Sequence, residues 1–212
     1  MVWQLTKAAD IRVTMHNRRC VFRDEPNPND PVFFESVMGV IHELGRQGLV
    51  FELMSDEESE PIRLHQITWQ YAEDPQTEIS LVHDLHNGVC YLTVQSKLGW
   101  LPKQVVSAFE AAIACYAIAD LISACDQRFF EPHLLVALGL LARKPDAEII
   151  RVLSKALDHS LAAVRYCASR AVAYTKWAAF VPDLEVLLKL EPDAGVREMA
   201  EHALSVCSRS FR

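Results

Sequence analysis

The sequence predicts an α+β protein. A mostly antiparallel sheet with one helix is expected over residues 1–101, and an all-α stack of paired helices over residues 102–212. Three observations carry this reading. Before residue 100, apolar side chains alternate along several short stretches, the period of strands with one buried face. After it, they recur every three or four positions, the period of amphipathic helices. The helical part also repeats itself. Val164-Arg165 is followed by Ala168, Ala171 and Val172, and thirty-two positions later Val196-Arg197 is followed by Ala200, Ala203 and Leu204. A fixed offset of that size marks stacked helical units.

The elements follow in order. Residues 11–23 read as a β-hairpin turning at Asn17-Arg18. One face then carries Ile11, Val13, Met15, Cys20 and Phe22, and the other Arg12, Thr14, His16, Arg19, Val21 and Arg23. That basic face could receive an acidic loop or ligand, but a solvated sheet face is the expectation. Asp30 followed by Pro31 is a strong helix start, because the carboxylate caps free amides and proline suits the first helical position. Phe33, Phe34, Val37, Val40, Ile41 and Leu44 form the buried stripe, and Gly45 and Gly48 end the helix. Residues 49–54 and 62–71 read as strands, separated by an acidic loop. Asn87-Gly88 suggests a two-residue hairpin turn within residues 78–95. Pairing outward from it sets Leu85 against Cys90, His83 against Leu92 and Leu81 against Val94. Residues 102–125 read as one long helix, apolar over most of its circumference and therefore buried between sheet and helical stack.

Two helix pairs are readable near the end of the chain. In residues 178–208 the first helix carries Val181, Leu184, Leu187 and Leu188, a turn falls at 192–195, and the second helix follows. In residues 146–174 the first helix carries Ile149, Ile150, Leu153, Ala156 and Leu157, and the second begins near Ala162. Residues 104–142 read as a degenerate first unit, as expected of a cap. These units resemble HEAT repeats. The resemblance implies an α-solenoid, and most such arrays bind other proteins. It also implies that Arg197, which matches the HEAT arginine, ties to an acidic turn residue, with Asp158 and Asp193 as candidates.

The net charge of −7 is unevenly spread. Residues 1–142 hold 10 Lys and Arg against 19 Asp and Glu, and residues 143–212 hold 11 against 9. An acidic body argues against general phosphate-backbone binding, which requires clustered cations. It suits a basic protein partner. The candidate partner-binding residues are Asp56, Glu57, Glu58 and Glu60 in the acidic stretch, and Arg165, Arg170 and Trp177 in the repeats. No catalytic residue, cofactor or metal site is expected. His83 and His86, three apart on a strand, point to opposite faces and cannot grip one ion with Cys90. The six cysteines show no C-x-x-C pair and read as reduced core thiols of a cytoplasmic protein. Residues 105–125 are too rich in alanine and carry too much charge to span a membrane.

The function expected is therefore a non-enzymatic protein-interaction module, of the size and acidity of an antitoxin, immunity or adaptor protein. Two alternatives stand beside it. One is a nucleic-acid-binding solenoid, as in HEAT-like DNA glycosylases, using Arg165, Tyr166, Arg170, Tyr174, Lys176 and Trp177. The other is an enzyme with a pocket at the domain junction near Trp100 and Trp177. An iron site of the deoxyhypusine hydroxylase kind is excluded, since the single His-Glu pair, His42-Glu43, lies outside the repeats.

Overall fold

The computed structural model describes residues 15–23, 26, 29–60, 63–127 and 131–209. Five strands form one antiparallel sheet: β1 (His16–Val21), β2 (Phe51–Ser59), β3 (Leu64–Tyr71), β4 (Asp74–Asp84) and β5 (Val89–Ser96), in spatial order β1-β5-β4-β3-β2. Helix α1 (Pro31–Arg46) joins β1 to β2. After β5 come α2 (Leu101–Ala112), α3 (Ile118–Gln127), α4 (Pro132–Leu141), α5 (Ala147–Leu157), α6 (Ala162–Thr175), α7 (Val181–Leu190) and α8 (Ala194–Arg209). The α+β class and the sheet-then-helices order stand as expected.

α1 starts as its sequence dictates. Asp30 accepts the amide of Val32 at 3.0 Å, and Phe33, Val37, Val40, Ile41 and Leu44 are buried. They pack with α2 on one face of the sheet, against Cys20, Phe22, Ile67, Trp69, Ile79, Leu81 and Leu92. Phe22 and Phe33 meet edge to face at 5.3 Å.

Four expectations are corrected. Asn17 and Arg18 make no turn: both lie inside β1, paired with Gln95 and Val94 of β5. The partner strand expected at 11–14 lies outside the described residues. The acidic stretch is not a loop, since Asp56, Glu57 and Glu58 belong to edge strand β2 and pair with Ile67, Gln66 and His65. Charged side chains on an edge strand discourage edge-to-edge association, which accounts for acid in a strand. The β4–β5 loop has four residues rather than two, so His83 faces Cys90 and Leu81 faces Leu92. A shift of two preserves every face, because the side-chain period is two. The long helix is broken into α2 and α3. Between them Cys115 forms a bridge with Phe22, with Tyr116 N–H donating to Val21 at 2.8 Å and Arg23 N–H to Ala114 at 3.0 Å. Backbone pairing with the end of β1 outweighs helical continuity there, and each half-helix serves a different core.

The helices lie in two rows. α4, α6 and α8 pack side by side, and α3, α5 and α7 form the outer row. Arg151 of α5 grips Asp126 of α3 through two bonds of 3.0 and 2.7 Å. Ser154 donates to Asp183 of α7 at 2.5 Å. α4 is buried from Leu134 to Leu141. It crosses α6 so closely that a Cβ on Gly139 would sit 2.5 Å from the Ala171 backbone. The inter-helix arginine tie is made by Arg165 rather than Arg197. Its guanidinium holds Glu191 at 2.6 and 2.7 Å and donates to the carbonyls of His159 and Ser160 at 2.8 Å. Arg165 opens its helix beside the preceding turn and reaches forward to the next one. The sequence offset alone does not distinguish it from Arg197.

Two outcomes follow. Gly139→Ala forces overpacking at the α4–α6 crossing, with an expected loss of about 1–3 kcal/mol by urea denaturation; an unchanged midpoint would show that the crossing relaxes freely. The Arg165 hydrogen bonds hold the Glu191 carboxyl below the usual range. A depressed carboxylate contributes stability above its unfolded pKa of about 4.3 and loses it as pH falls through the folded value. Wild-type stability should therefore decline more steeply than that of Glu191→Gln between about pH 5 and pH 3. Parallel profiles would mean the pair contributes nothing.

Candidate functional site

The sheet's second face meets the inner helical row. Strand alternation puts Arg19, Val21, Val82, Asp84, Val89 and Tyr91 on this face. Val21 and Val89 join the core of the helical rows, with Tyr91 packed against it. Of the basic face expected for β1, Arg19 and Val21 therefore lie at the seam with α4 and α6, while His16 and Arg23 are exposed.

A buried charge pair fastens the seam. Asp84 is 1% exposed at the end of β4, where its carboxylate accepts Arg170 Nη2 of α6 at 2.7 Å. The same carboxylate accepts the Asn87 amide at 3.2 Å and Asn87 Nδ2 at 2.8 Å. These bonds shape the four-residue loop and explain why Asn87-Gly88 does not make a minimal turn. Gly88 takes the positive φ of 62° that the loop requires. Next in the loop, His86 stacks edge to face on Tyr166 of α6 at 5.8 Å.

Beside this pair runs a basic groove. Tyr174 of α6 stands at its centre, with the guanidinium carbons of Arg19 and Arg170 5.7 and 6.0 Å from its ring centroid. Cation–π attraction lets two like-charged groups sit near one ring. On one side of Tyr174 a depression of about 740 Å³ is lined by Arg19, Arg170, Lys176 and Arg209 over an apolar floor of Ala173, Met199 and Val206. On the other, about 420 Å³ is lined by His16, Arg18, Arg19, Arg143 and Lys176. The first depression continues past Met199 and His202 into an open space of about 950 Å³ bounded by His86, Tyr166 and Glu198. The two depressions flanking Tyr174 have no Asp or Glu in their described lining. Among the described residues, Arg18, Arg19, Arg143, Lys176 and Arg209 make no ion pair, and Arg19 Nε is buried without a hydrogen-bond partner. Lys176 takes a left-handed φ of 58° as the α6 C-cap, which turns it toward the groove's rim.

The sequence-derived candidates fall in four places. Arg170 borders the groove but is engaged by Asp84. Arg165 is engaged by Glu191, and Trp177 is 7% exposed, stacked on Phe180 at 6.0 Å. Asp56, Glu57, Glu58 and Glu60 are exposed on and just beyond β2, the sheet edge opposite β1. Asp56 accepts a 2.6 Å contact from His65. The structure thus does not bring the acidic and basic candidates together. Arg18, Arg143 and Arg209 were missed, since nothing local marks them as neighbours; Arg19 was noted only through the basic alternation along β1.

The remaining chemistry is sparse. His83 is buried on the apolar face and His86 exposed in the loop, so they do not converge. Among the described residues no three metal-ligating side chains gather, and no helix is long and apolar enough to cross a membrane. Burial pushes the Cys125 thiol up to about 12 and those of Cys167 and Cys207 up to about 11. Trp100 is 54% exposed, and neither it nor Trp177 lines the groove.

Breaking the Asp84–Arg170 pair leaves a buried charge. Arg170→Met is expected to cost about 3–5 kcal/mol in urea denaturation, and Asp84→Asn with Arg170→Met to recover most of it. A single-variant loss under about 1 kcal/mol would show the pair to be incidental. Comparison with protein-family models, with curated proteins and with solved structures finds no match.

Proposed function

We propose that this protein is a non-enzymatic interaction module: a HEAT-like stack of helix pairs, covered on one side by its own sheet, whose groove beside β1 grips an anionic segment of a partner protein. One observation carries the reading. Five cations without carboxylate partners among the described residues border an open groove in a chain of net charge −7. Burying or crowding like charges is unfavourable unless an opposite charge arrives. The apolar floor of Ala173, Met199 and Val206 adds area for an amphipathic segment, and methionine adapts to irregular surfaces.

The HEAT-like reading is supported by the pairs α3/α4, α5/α6 and α7/α8 in two rows, and by the forward tie of Arg165 to Glu191. The anionic partner differs from the basic one expected from composition. The acids of β2 line none of the depressions described, whereas five cations without an ion pair among the described residues line the two that flank Tyr174. A protein segment is favoured over a nucleic acid for two reasons. Arg165 and Arg170, counted toward the nucleic-acid reading, are engaged internally. The acidic body would also repel a long phosphate chain, while screening over about 8–10 Å leaves a short anionic segment under local attraction.

The test is fluorescence anisotropy with three labelled probes: a Glu-rich peptide carrying Leu and Phe, a Lys-rich peptide and a single-stranded oligonucleotide. The Glu-rich peptide should bind, more weakly at higher salt. Combined Arg18→Glu, Arg19→Glu, Lys176→Glu and Arg209→Glu should weaken it at least about tenfold, or about 1.4 kcal/mol. Asp56→Lys with Glu57→Lys should leave it unchanged. Binding of the Lys-rich peptide lost on reversing Asp56 and Glu57, or tight binding of the oligonucleotide alone, would overturn the reading.

A further inference from the structure

The bridge between the end of β1 and the α2–α3 connector brings two cysteines together. Cys115 pairs with Phe22 in antiparallel fashion, so its side chain stands on the same face as Phe22 and, two residues earlier, Cys20. Cys20 is 1% exposed in the sheet core, and Cys115 is half-buried against that core. The two side chains neighbour each other across this bridge, closely enough that each perturbs the other's titration. Arg23 is held beside them: its Nε donates to the Cys115 carbonyl at 2.9 Å, and its guanidinium pairs with Asp120 and lies 5.7 Å from the Tyr116 ring centroid.

The two sulfurs are inequivalent. The neighbouring Cys20 holds the Cys115 thiol below its ordinary range, and Arg23 adds to this, against burial and Glu110. Cys20 is held well above that range, first by Cys115 and then by burial. Burial likewise raises Cys90, Cys125, Cys167 and Cys207. Thiolate character and access govern oxidation, and both single out Cys115. Cys115, expected from the sequence as a core thiol inside a long helix, instead lies in the α2–α3 connector and is half-buried.

We propose that Cys20 and Cys115 form a reversible disulfide on meeting hydrogen peroxide, with Cys115 as the attacking thiol and Cys20 as the resolving one. The Cys115 thiolate attacks a peroxide oxygen, the O–O bond breaks, and hydroxide leaves to become water on protonation. Cys115 is then a sulfenic acid. Cys20 attacks its sulfur, the S–O bond breaks, and the departing hydroxide takes the Cys20 proton as a second water. Two thiols are oxidised and one peroxide is reduced to two waters. A dithiol reverses the bond by exchange. The disulfide would fasten β1, which carries Arg18 and Arg19, to the connector ahead of α3. It stands independently of the binding reading.

The test uses the full chain. Reduced protein is treated with one equivalent of hydrogen peroxide, alkylated, digested without reductant and mapped by mass spectrometry. A peptide pair linked through Cys20 and Cys115 is expected, lighter by two hydrogens and lost on adding dithiothreitol. Cys20→Ser should leave Cys115 trapped as a sulfenic acid that a dimedone probe labels, and Cys115→Ser should abolish the link. In untreated wild type, Cys115 should react with iodoacetamide at least about tenfold faster than Cys125 or Cys167, following thiolate fraction. Links among other cysteines, or no link in wild type with Cys115 alkylating no faster than Cys125, would overturn the proposal without requiring either variant to fold.

Discussion

The arrangement depends on one buried carboxylate. Asp84 ends β4, shapes the loop through Asn87 and takes the guanidinium of Arg170 from α6. A carboxylate this far from water requires its donors, since an unpaired buried charge is strongly destabilising. The requirement fixes which helix the sheet meets, and at what point along it. Arg170 leans on Tyr174, Tyr174 carries Arg19, and Arg19 belongs to β1. A chain of contacts thus runs from a hairpin loop to the edge strand and sets one wall of the groove against the other. Hydrophobic contact among Val21, Val89 and the buried helix α4 supplies most of the adhesion, because apolar burial scales with area. The charge pair supplies orientation.

Charge is sorted by position as well as by sequence. The acids Asp56, Glu57 and Glu58 decorate an outer strand edge, where they are solvated and guard against strand addition. Five cations that make no ion pair among the described residues (Arg18, Arg19, Arg143, Lys176 and Arg209) gather at the opposite edge, where β1 meets the inner helical row. The acidic composition therefore conceals a local basic surface. A ligand approaching the groove meets rigid elements on both sides: β1 is held by β5 and by the connector, and α6 by α4 and α8. Preorganised walls reduce the ordering cost of binding.

What the sequence showed, it showed through local rules. Asp30-Pro31 sets the α1 start by capping chemistry alone, and β3 alternates cleanly from His65 to Tyr71 because one face is buried. Helices α5 to α8 were readable from their apolar spacing. What was hidden depends on partners distant in sequence. Nothing near Asn17-Arg18 says that β5 will pair straight across it. The helix expected over 102–125 breaks where Val21 and Arg23 of the β1 end bond to the backbone of Tyr116 and Ala114. Arg165 and Arg197 share a motif position, and only the location of Glu191 decides which forms the tie. The groove is the extreme case, since its cations come from β1, the turn after α4, the end of α6 and the end of α8. Their convergence is a property of the fold, not of any motif.

The most direct measurement of the groove's role is amide hydrogen exchange on the whole chain with and without a bound Glu-rich amphipathic peptide. Exchange reports which backbone segments the ligand protects. Slowed exchange in 16–21 and in 173–176 together with 199–209, with 51–60 unchanged, is the result this account requires. Protection confined to 51–60, or none in either region despite bound peptide, would contradict it.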